Sequence, residues 1–269
     1  MLSGCERPDL GLDGVLERRF FIMAALRRLI LLASRSPRRL ELAREAGWTV
    51  RVAPPSEEVE ESQPPRAAGE SLERFVARLA WAKAEEIGRL MAATMEPQET
   101  LIACDTLSEV DGETFGKPKD RSDAARMMLA FSGKSHRVLT GTCVWRPSQG
   151  EPILAVTESL LRMEKLSQES IQTYLSTNRW IGKAGAIGYQ DGHAWLVLTA
   201  GSSSNVVGLP LETVQQSIEQ IEIFSRKKFE VKSTQTRSKT PTPVQFYPAI
   251  PSKRPLTEKI EGFRTTDSK

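Results

Sequence analysis

Ser36, Pro37, Arg38 and Arg39 form a short run in which every residue type bears on anion binding. A helical pattern of Leu40, Ala43 and Ala46 begins just after Pro37, so Ser36 is expected as the N-cap and Pro37 as the first helical residue. A helix start carries partial positive charge and free backbone N–H groups, and acidic residues are favoured there. Arg38 and Arg39 occupy that first turn instead. Two guanidinium groups added to a positive helix end suit a phosphate chain better than a lone carboxylate. A local violation of this kind, with no compensation nearby in sequence, tends to mark a functional site. Arg35 lies outside the helix and reads as an exposed turn residue.

Three other stretches carry chemistry. Thr100 to Cys104 is a continuous apolar strand expected to end on Asp105-Thr106. Ligands of open α/β sheets bind beyond the carboxyl ends of strands, which places Asp105 well for metal binding or catalysis. Gly116-Lys117-Pro118 invites comparison with a phosphate-binding P-loop and fails it: the glycine spacing from Gly112 is one residue short, and Pro118 stands where a Ser or Thr would hold magnesium. Lys117 remains a point charge available to phosphate. Residues 183 to 190, Lys-Ala-Gly-Ala-Ile-Gly-Tyr-Gln, form a glycine-punctuated loop that lets backbone approach a ligand closely. The acidic cluster Glu57, Glu58, Glu60 and Glu61 is, by itself, more typical of a solvated loop than of a metal site.

The elements that must position these groups follow from periodicity. Leu29 to Ala33 reads as a strand, Trp48 to Ala53 as a second, and residues 56 to 69 as an acidic loop. Ser71 to Leu90 is a helix whose apolar stripe is Leu72, Phe75, Leu79, Ala82 and Ile87, with Lys83 off it. Asp111-Gly112 signals a hairpin, Ser122 caps a helix that Gly133 stops, and 136 to 145 with 153 to 162 make two antiparallel strands. A helix at 168 to 175, a strand at 194 to 199, a loop at 201 to 205 and a helix from Pro210 to about Phe224 complete the ordered part.

The chain has 269 residues, 39% hydrophobic and 26% charged, with a net charge of +3, values ordinary for a globular protein. Cys5, Cys104 and Cys143 form no C-x-x-C pair and have only His136 and His193 as partners, which argues against a zinc centre or disulfide framework and fits a reducing cytoplasm. Residues 1–27 read as an extension: the apolar run from Phe20 to Leu26 is too short to span a bilayer, and Met23 is a candidate start. Residues 226–269 hold eleven Lys/Arg against four Asp/Glu, so this Pro-, Ser- and Thr-rich segment carries the chain's positive charge and reads as a disordered tail. A single domain over 28–225 remains.

Six motifs together resemble the Maf nucleotide pyrophosphatases. They are Leu-Ala-Ser-Arg-Ser-Pro-Arg-Arg at 32–39, Ala-Cys-Asp-Thr at 103–106, Gly-Lys-Pro at 116–118, Ser-Gly-Lys-Ser-His-Arg-Val-Leu-Thr-Gly at 132–141, Lys-Ala-Gly-Ala at 183–186 and Asn-Val-Val-Gly-Leu-Pro-Leu at 205–211. They stand in the family order and far exceed any single motif in specificity. The resemblance implies a mixed α/β fold related to the inosine triphosphate pyrophosphatases, with a twisted sheet, flanking helices and a cleft between two lobes. It implies hydrolysis of a nucleoside triphosphate to the monophosphate and pyrophosphate, with a divalent cation, magnesium or manganese. Carried over by position, Asp105 is the general base and a metal ligand, and Glu61 is its acidic partner. Ser36, Arg38, Arg39, Lys83 and Lys117 would hold the triphosphate, with Lys117 counted among the catalytic groups.

Within the family, Arg38, Thr106 and Gln190 resemble the subgroup acting on dTTP and UTP, and the Gln190 amide offers both a donor and an acceptor to a pyrimidine edge. Ile187 and Tyr189 depart from the usual pattern of that loop. Homodimers are common in such folds; neither membrane association nor stable nucleic-acid binding is expected. The competing reading is an interaction protein linked to septum inhibition and cell-division arrest, against which the intact Asp105, Lys117, Arg38 and Lys83 argue. A nucleic-acid-binding module using the basic tail is a second alternative, without a binding motif to support it.

Overall fold

Leu29–Ala33 forms β1, and Leu31, Leu32 and Ala33 are fully buried, which explains an apolar run without alternation: both faces of this strand are covered. Ser36 caps α1 (Pro37–Glu45) by accepting the Arg39 backbone N–H, as expected. The computed structural model describes residues 28–61 and 63–234, without the side chains of Glu61 and of 227–234. The expected extension 1–27 with its Met23 start, and the tail beyond Thr234, lie outside the described residues.

The remaining elements are β2 (Thr49–Val52), α2 (Glu57–Glu61), α3 (Leu72–Met91), β3 (Thr100–Val110), β4 (Glu113–Phe115), α4 (Arg121–Phe131), β5 (Ser135–Trp145), β6 (Ile153–Met163), α5 (Gln168–Ser176), β7 (Leu196–Ala200), α6 (Ser203–Val207) and α7 (Leu211–Thr234). One seven-stranded mixed sheet runs in the order β2-β1-β3-β5-β6-β7, with β4 also paired to β3. Strand β1 is parallel to β2 and β3, and the pairs β3–β5, β5–β6 and β6–β7 are antiparallel.

Side-chain alternation sorts the core. Ile30, Leu32, Ile102 and Cys104 pack on one face with Ala43 of α1 and Val214 and Ile218 of α7. Leu31, Ala33, Leu101 and Ala103 face the other way, against Ala80, Ala84 and Ile87 of α3. Phe131, Met128, Ile171 and Leu175 of α4 and α5 cover the antiparallel end together with Leu161 and Met163.

Five expectations are corrected. The acidic loop contains α2, capped at Val59 N–H by the Ser56 hydroxyl. Strand β3 does not end on Asp105-Thr106; antiparallel pairing with β5 carries it through Val110. Asp120, not Ser122, caps α4, because its carboxylate accepts the Asp123 N–H while the Ser122 hydroxyl donates to that same carboxylate. The expected loop after Gly201 forms α6, capped by Ser202. The last helix runs to Thr234, beyond the expected end at Phe224, and so takes in the first nine residues, 226–234, of the expected disordered tail. The Asp111-Gly112 hairpin stands: both residues have positive φ, 52° and 81°, as a primed two-residue turn requires.

One feature of the topology makes a site. Strand β5 occupies one edge of β3 along 101–109, so β1 and β4 must share the other edge. Strand β1 pairs there through Ala33↔Ala103, and β4 begins its pairing at Ser108↔Phe115. Residues 104–107 of β3 are left without a neighbour on that edge. Parallel β1 and antiparallel β4 both point their carboxyl ends into this gap. Ser34 to Arg39 leaves one strand and Gly116-Lys117 leaves the other, so segments distant in sequence converge on Asp105 and Thr106.

Candidate active site

Asp105 and Thr106 are successive residues of β3, and a strand sends successive side chains to opposite faces. Asp105 faces α3, whose Lys83 Nζ donates to Asp105 Oδ1 at 2.7 Å and to Glu60 Oε2 at 3.0 Å. Thr106 faces α1, where its hydroxyl accepts from Arg39 Nη2 at 3.0 Å and shares a hydrogen bond with Thr140 at 3.0 Å. The gap in the β3 edge brings both faces into one cleft of about 300 Å³.

Lys83 is not off the buried side of its helix, as the sequence suggests; it is 5% exposed, in register with Val76 and Ala80, and its ammonium joins two carboxylates. A buried ammonium without partners would be very costly, and this one meets two carboxylates. Glu60 feels the reverse. Burial pushes its carboxyl pKa up, but attraction to Lys83, the hydrogen bond from Lys83, and then Lys117 and Arg39 outweigh it and hold Glu60 below the usual carboxylate range. Lys117 Nζ stands 3.8 Å from the same Glu60 oxygen, with its side chain 65% exposed towards the cleft.

The arginines line the opposite wall. Arg38 Nη2 donates to the Gly182 carbonyl at 2.9 Å, and Arg39 donates to Gly208 O at 2.6 Å, Ser34 Oγ at 3.3 Å and Thr106. Burial, followed by the neighbouring Arg39, lowers the Arg38 pKa; Asp191 and Tyr174 act in the other direction. An arginine stays charged in proteins, so the lowered value reports a cation that burial and a like-charged neighbour destabilise until an anion arrives. Arg35 is exposed as expected but is not idle: it donates to Pro55 O and pairs with Glu57, tying the helix that bears Glu60 to the anion-binding turn.

The glycine-punctuated loop closes the cleft from a third side with two short 3-10 turns, Ala184–Ala186 and Tyr189–Asp191. Lys183 Nζ clips to Asp191 Oδ2 at 2.5 Å, so the two ends of the loop are fastened together and Gln190 is presented to the cleft.

Of the residues singled out from sequence, Ser36, Arg38, Arg39, Asp105, Thr106, Lys117 and Gln190 all line the cleft, with Lys83 bonded to Asp105 beneath them. Glu61 ends the same short helix as Glu60, but its side chain is outside the described residues; Glu60 is the carboxylate that meets Lys83 and Lys117. Sequence reasoning also missed Ser34, whose hydroxyl accepts from Ser36 N–H and Arg39, and the Lys183–Asp191 clip. The signal for the clip was present in the Lys-Ala-Gly-Ala run, whose lysine went unassigned.

Two carboxylates joined by one ammonium do not make a closed metal cage, and among the described residues no group of three or more His, Cys, Asp or Glu side chains could hold an ion. The donor set fits a hard cation of the magnesium type, which is usually held by one or two carboxylates and completed by substrate phosphates and water. No helix among the described residues is long and apolar enough to cross a membrane.

Comparison with known proteins finds similarity of sequence over most of the described chain. A dTTP/UTP pyrophosphatase of Rhodopirellula baltica is 38% identical over 199 residues, covering 74% of this chain and 84% of that protein. One from Symbiobacterium thermophilum is 40% identical over 192 residues, 71% and 93% respectively, and one from Geotalea uraniireducens is 39% identical over 183 residues, 68% and 89%. A HAM1 protein of Coxiella burnetii overlays at a TM-score of 0.33 and 12% identity over 75% of this chain and 98% of that one, too loose a match to argue from. The model of the Maf-like protein family matches residues 29–221, from β1 into α7, and so takes in each cleft-lining segment described above: this chain belongs to the Maf family.

Proposed function

We propose that this chain hydrolyses nucleoside triphosphates to the nucleoside monophosphate and pyrophosphate, with dTTP and UTP as preferred substrates. The observation that carries the reading is the opposition, across one cleft, of the cations Arg38 and Arg39 to the Asp105–Lys83–Glu60 cluster, with Lys117 beside Glu60 at its rim. The names of the relatives supply the nucleotide, and the arrangement of the charges supports the chemistry.

Phosphoryl transfer needs positioning and charge neutralisation more than covalent help. The polyphosphate lies along Arg38, Arg39 and Lys117, with the α-phosphorus near Asp105. Asp105 takes a proton from a water molecule as that oxygen bonds to the α-phosphorus in line with the bridging oxygen. The bond from the α-phosphorus to the bridging oxygen breaks, and pyrophosphate leaves carrying that oxygen. Lys83 fixes the Asp105 carboxylate in this orientation and offsets its charge. A divalent cation, magnesium or manganese, would be held by Asp105 and Glu60 and would neutralise phosphate charge. Gln190 and Arg38 border the base, and Thr106 acts through Arg39, to which its hydroxyl is committed. The buried free thiols Cys104 and Cys143 accord with a reducing cytoplasm as the place of work.

The test is pyrophosphate release across UTP, dTTP and 7-methyl-GTP, with and without magnesium. UTP and dTTP are expected to give the highest kcat/KM and to depend on the metal. No release from any nucleotide overturns the reading.

A further inference from the structure

Away from its cations the cleft changes character. Thr106 and Ser108 of β3 stand opposite Thr140 and Val138 of β5, and His136, two residues beyond Val138, shares their face. Of these, Thr106, Ser108, Val138 and His136 line an end of the cleft that Phe131, Leu161, Ile187 and Leu196 also line. Gly185 closes over it: a Cβ there would press on Phe131 and, at 3.2 Å, on the Ser108 hydroxyl.

Two polar side chains are stranded in this recess. Ser108 is 4% exposed and His136 is 7% exposed, and both line the cleft. The Ser108 hydroxyl has no hydrogen-bond partner among the described residues. His136 Nδ1 is buried without one, and the ring packs on Phe131 with centroids 4.7 Å apart. Burial among apolar groups holds the imidazole neutral at physiological pH, with its pKa lowered to about 4. An imidazole nitrogen buried without a partner is costly, and a hydroxyl that lines the cleft with no protein partner is free to meet a ligand, so both suit a group that completes them.

We propose that Ser108 and His136 read the polar edge of the pyrimidine base. This rests on the nucleoside triphosphate reading of the same cleft. The triphosphate belongs at the cationic end, so the flat, largely apolar base falls to the recess between Phe131 and Leu196. Uracil and thymine present ring carbonyl acceptors and one ring N–H donor along a single edge. A serine hydroxyl and a neutral imidazole can each donate or accept, so the pair matches that alternation from the floor while Gln190 meets it from the loop. Neither residue touches the reacting phosphorus; both set which base is held.

The test compares UTP with inorganic tripolyphosphate, which has the phosphates and no base. In Ser108→Ala and His136→Leu, KM for UTP is expected to rise about 10-fold each, the effect of losing one buried hydrogen bond, with kcat within about 3-fold of the wild type. Competitive inhibition by tripolyphosphate is expected to stay unchanged, and His136→Asn, which keeps a polar atom near the position of Nδ1, to restore most of the affinity. An unchanged KM for UTP in both variants overturns the proposal. So does a parallel weakening of tripolyphosphate, which would show a structural role. Should His136→Leu not fold, Ser108→Ala decides alone. A wild type that turns over no nucleotide overturns the reaction instead; calorimetric binding of UTP and tripolyphosphate to the same variants then still tests the base contact.

Discussion

Lys83 Nζ lies 2.7 Å from Asp105 Oδ1, joining a helix to a strand 22 residues apart, and the same ammonium reaches Glu60. Each of the three depends on the other two. Lys83 is buried only because two carboxylates receive it, and two carboxylates share one ammonium only because the cation lies between them. The cluster is therefore both a folding contact between α3, β3 and α2 and the preorganised acidic half of the cleft.

Replacing Asp105 by Asn keeps the size of the side chain and an oxygen for Lys83 to donate to, but removes the base. Turnover of UTP is expected to fall on the order of 10²- to 10⁴-fold with a melting temperature close to that of the wild type. Near-normal turnover of Asp105→Asn would show that the proton goes elsewhere.

Replacing Lys83 by Met leaves Asp105 and Glu60 facing each other without their shared cation. The Glu60 carboxyl, held below its ordinary range partly by Lys83, then rises. In the wild type the stabilisation from this group is present above its unfolded pKa and is lost as pH falls through its lower folded pKa. In Lys83→Met the folded pKa moves to higher pH, towards the unfolded value, and this stabilisation shrinks. The acid limb of kcat/KM is expected to move the same way, which a pH–rate profile of both proteins checks. An acid limb at the same pH in both would separate Lys83 from Glu60.

Much of this cluster was legible locally, and the missing part was not local. Ser36 and Pro37 were readable because a helix start is decided by neighbours within four residues. Asp105 was recognisable as a site residue, yet its strand runs on to Val110 because β5 keeps pairing with it, a partner that lies thirty-odd positions away. Lys83 looked solvent-facing because an apolar stripe leaves a lysine out by type; two distant carboxylates decide otherwise. Glu60 of a five-residue helix meets Lys83 and Lys117, contacts set by the phase of that helix and by two distant lysines, while the Glu61 side chain lies outside the described residues.

His136 makes stability depend on pH. Its folded pKa is lowered from 6.5 to about 4 by burial, with the Lys134 backbone acting weakly in the other direction, so the unfolded chain binds the extra proton between those values. Stability is complete above about pH 6.5 and falls as pH drops towards 4, by up to about 3 kcal/mol from this group. His193, also lowered chiefly by burial, adds a loss of the same sign. Urea unfolding between pH 4 and 7 is expected to show a shallower pH slope in His136→Gln than in the wild type. Equal slopes would mean that the imidazole is not protonated on unfolding.

Gly141 is the cross-strand partner of Asp105, and it sets how closely α3 can approach. A Cβ at this position would overlap the Val76 carbonyl and the Ala77 nitrogen, main-chain atoms that cannot turn aside as a flexible side chain would. Val76 is about two turns before Lys83 on the buried face of α3, so a shift that relieves the overlap is expected to move Lys83 away from Asp105. Gly141→Ala is therefore expected to cost about 1–3 kcal/mol, as overpacking does, and to lower turnover although the residue touches no substrate. Thermal melting and steady-state kinetics on one preparation test both halves together. A lowered melting temperature with full kcat would mean that α3 yields elsewhere and the Lys83–Asp105 contact survives; loss of both would place the catalytic carboxylate under the control of a glycine on the neighbouring strand.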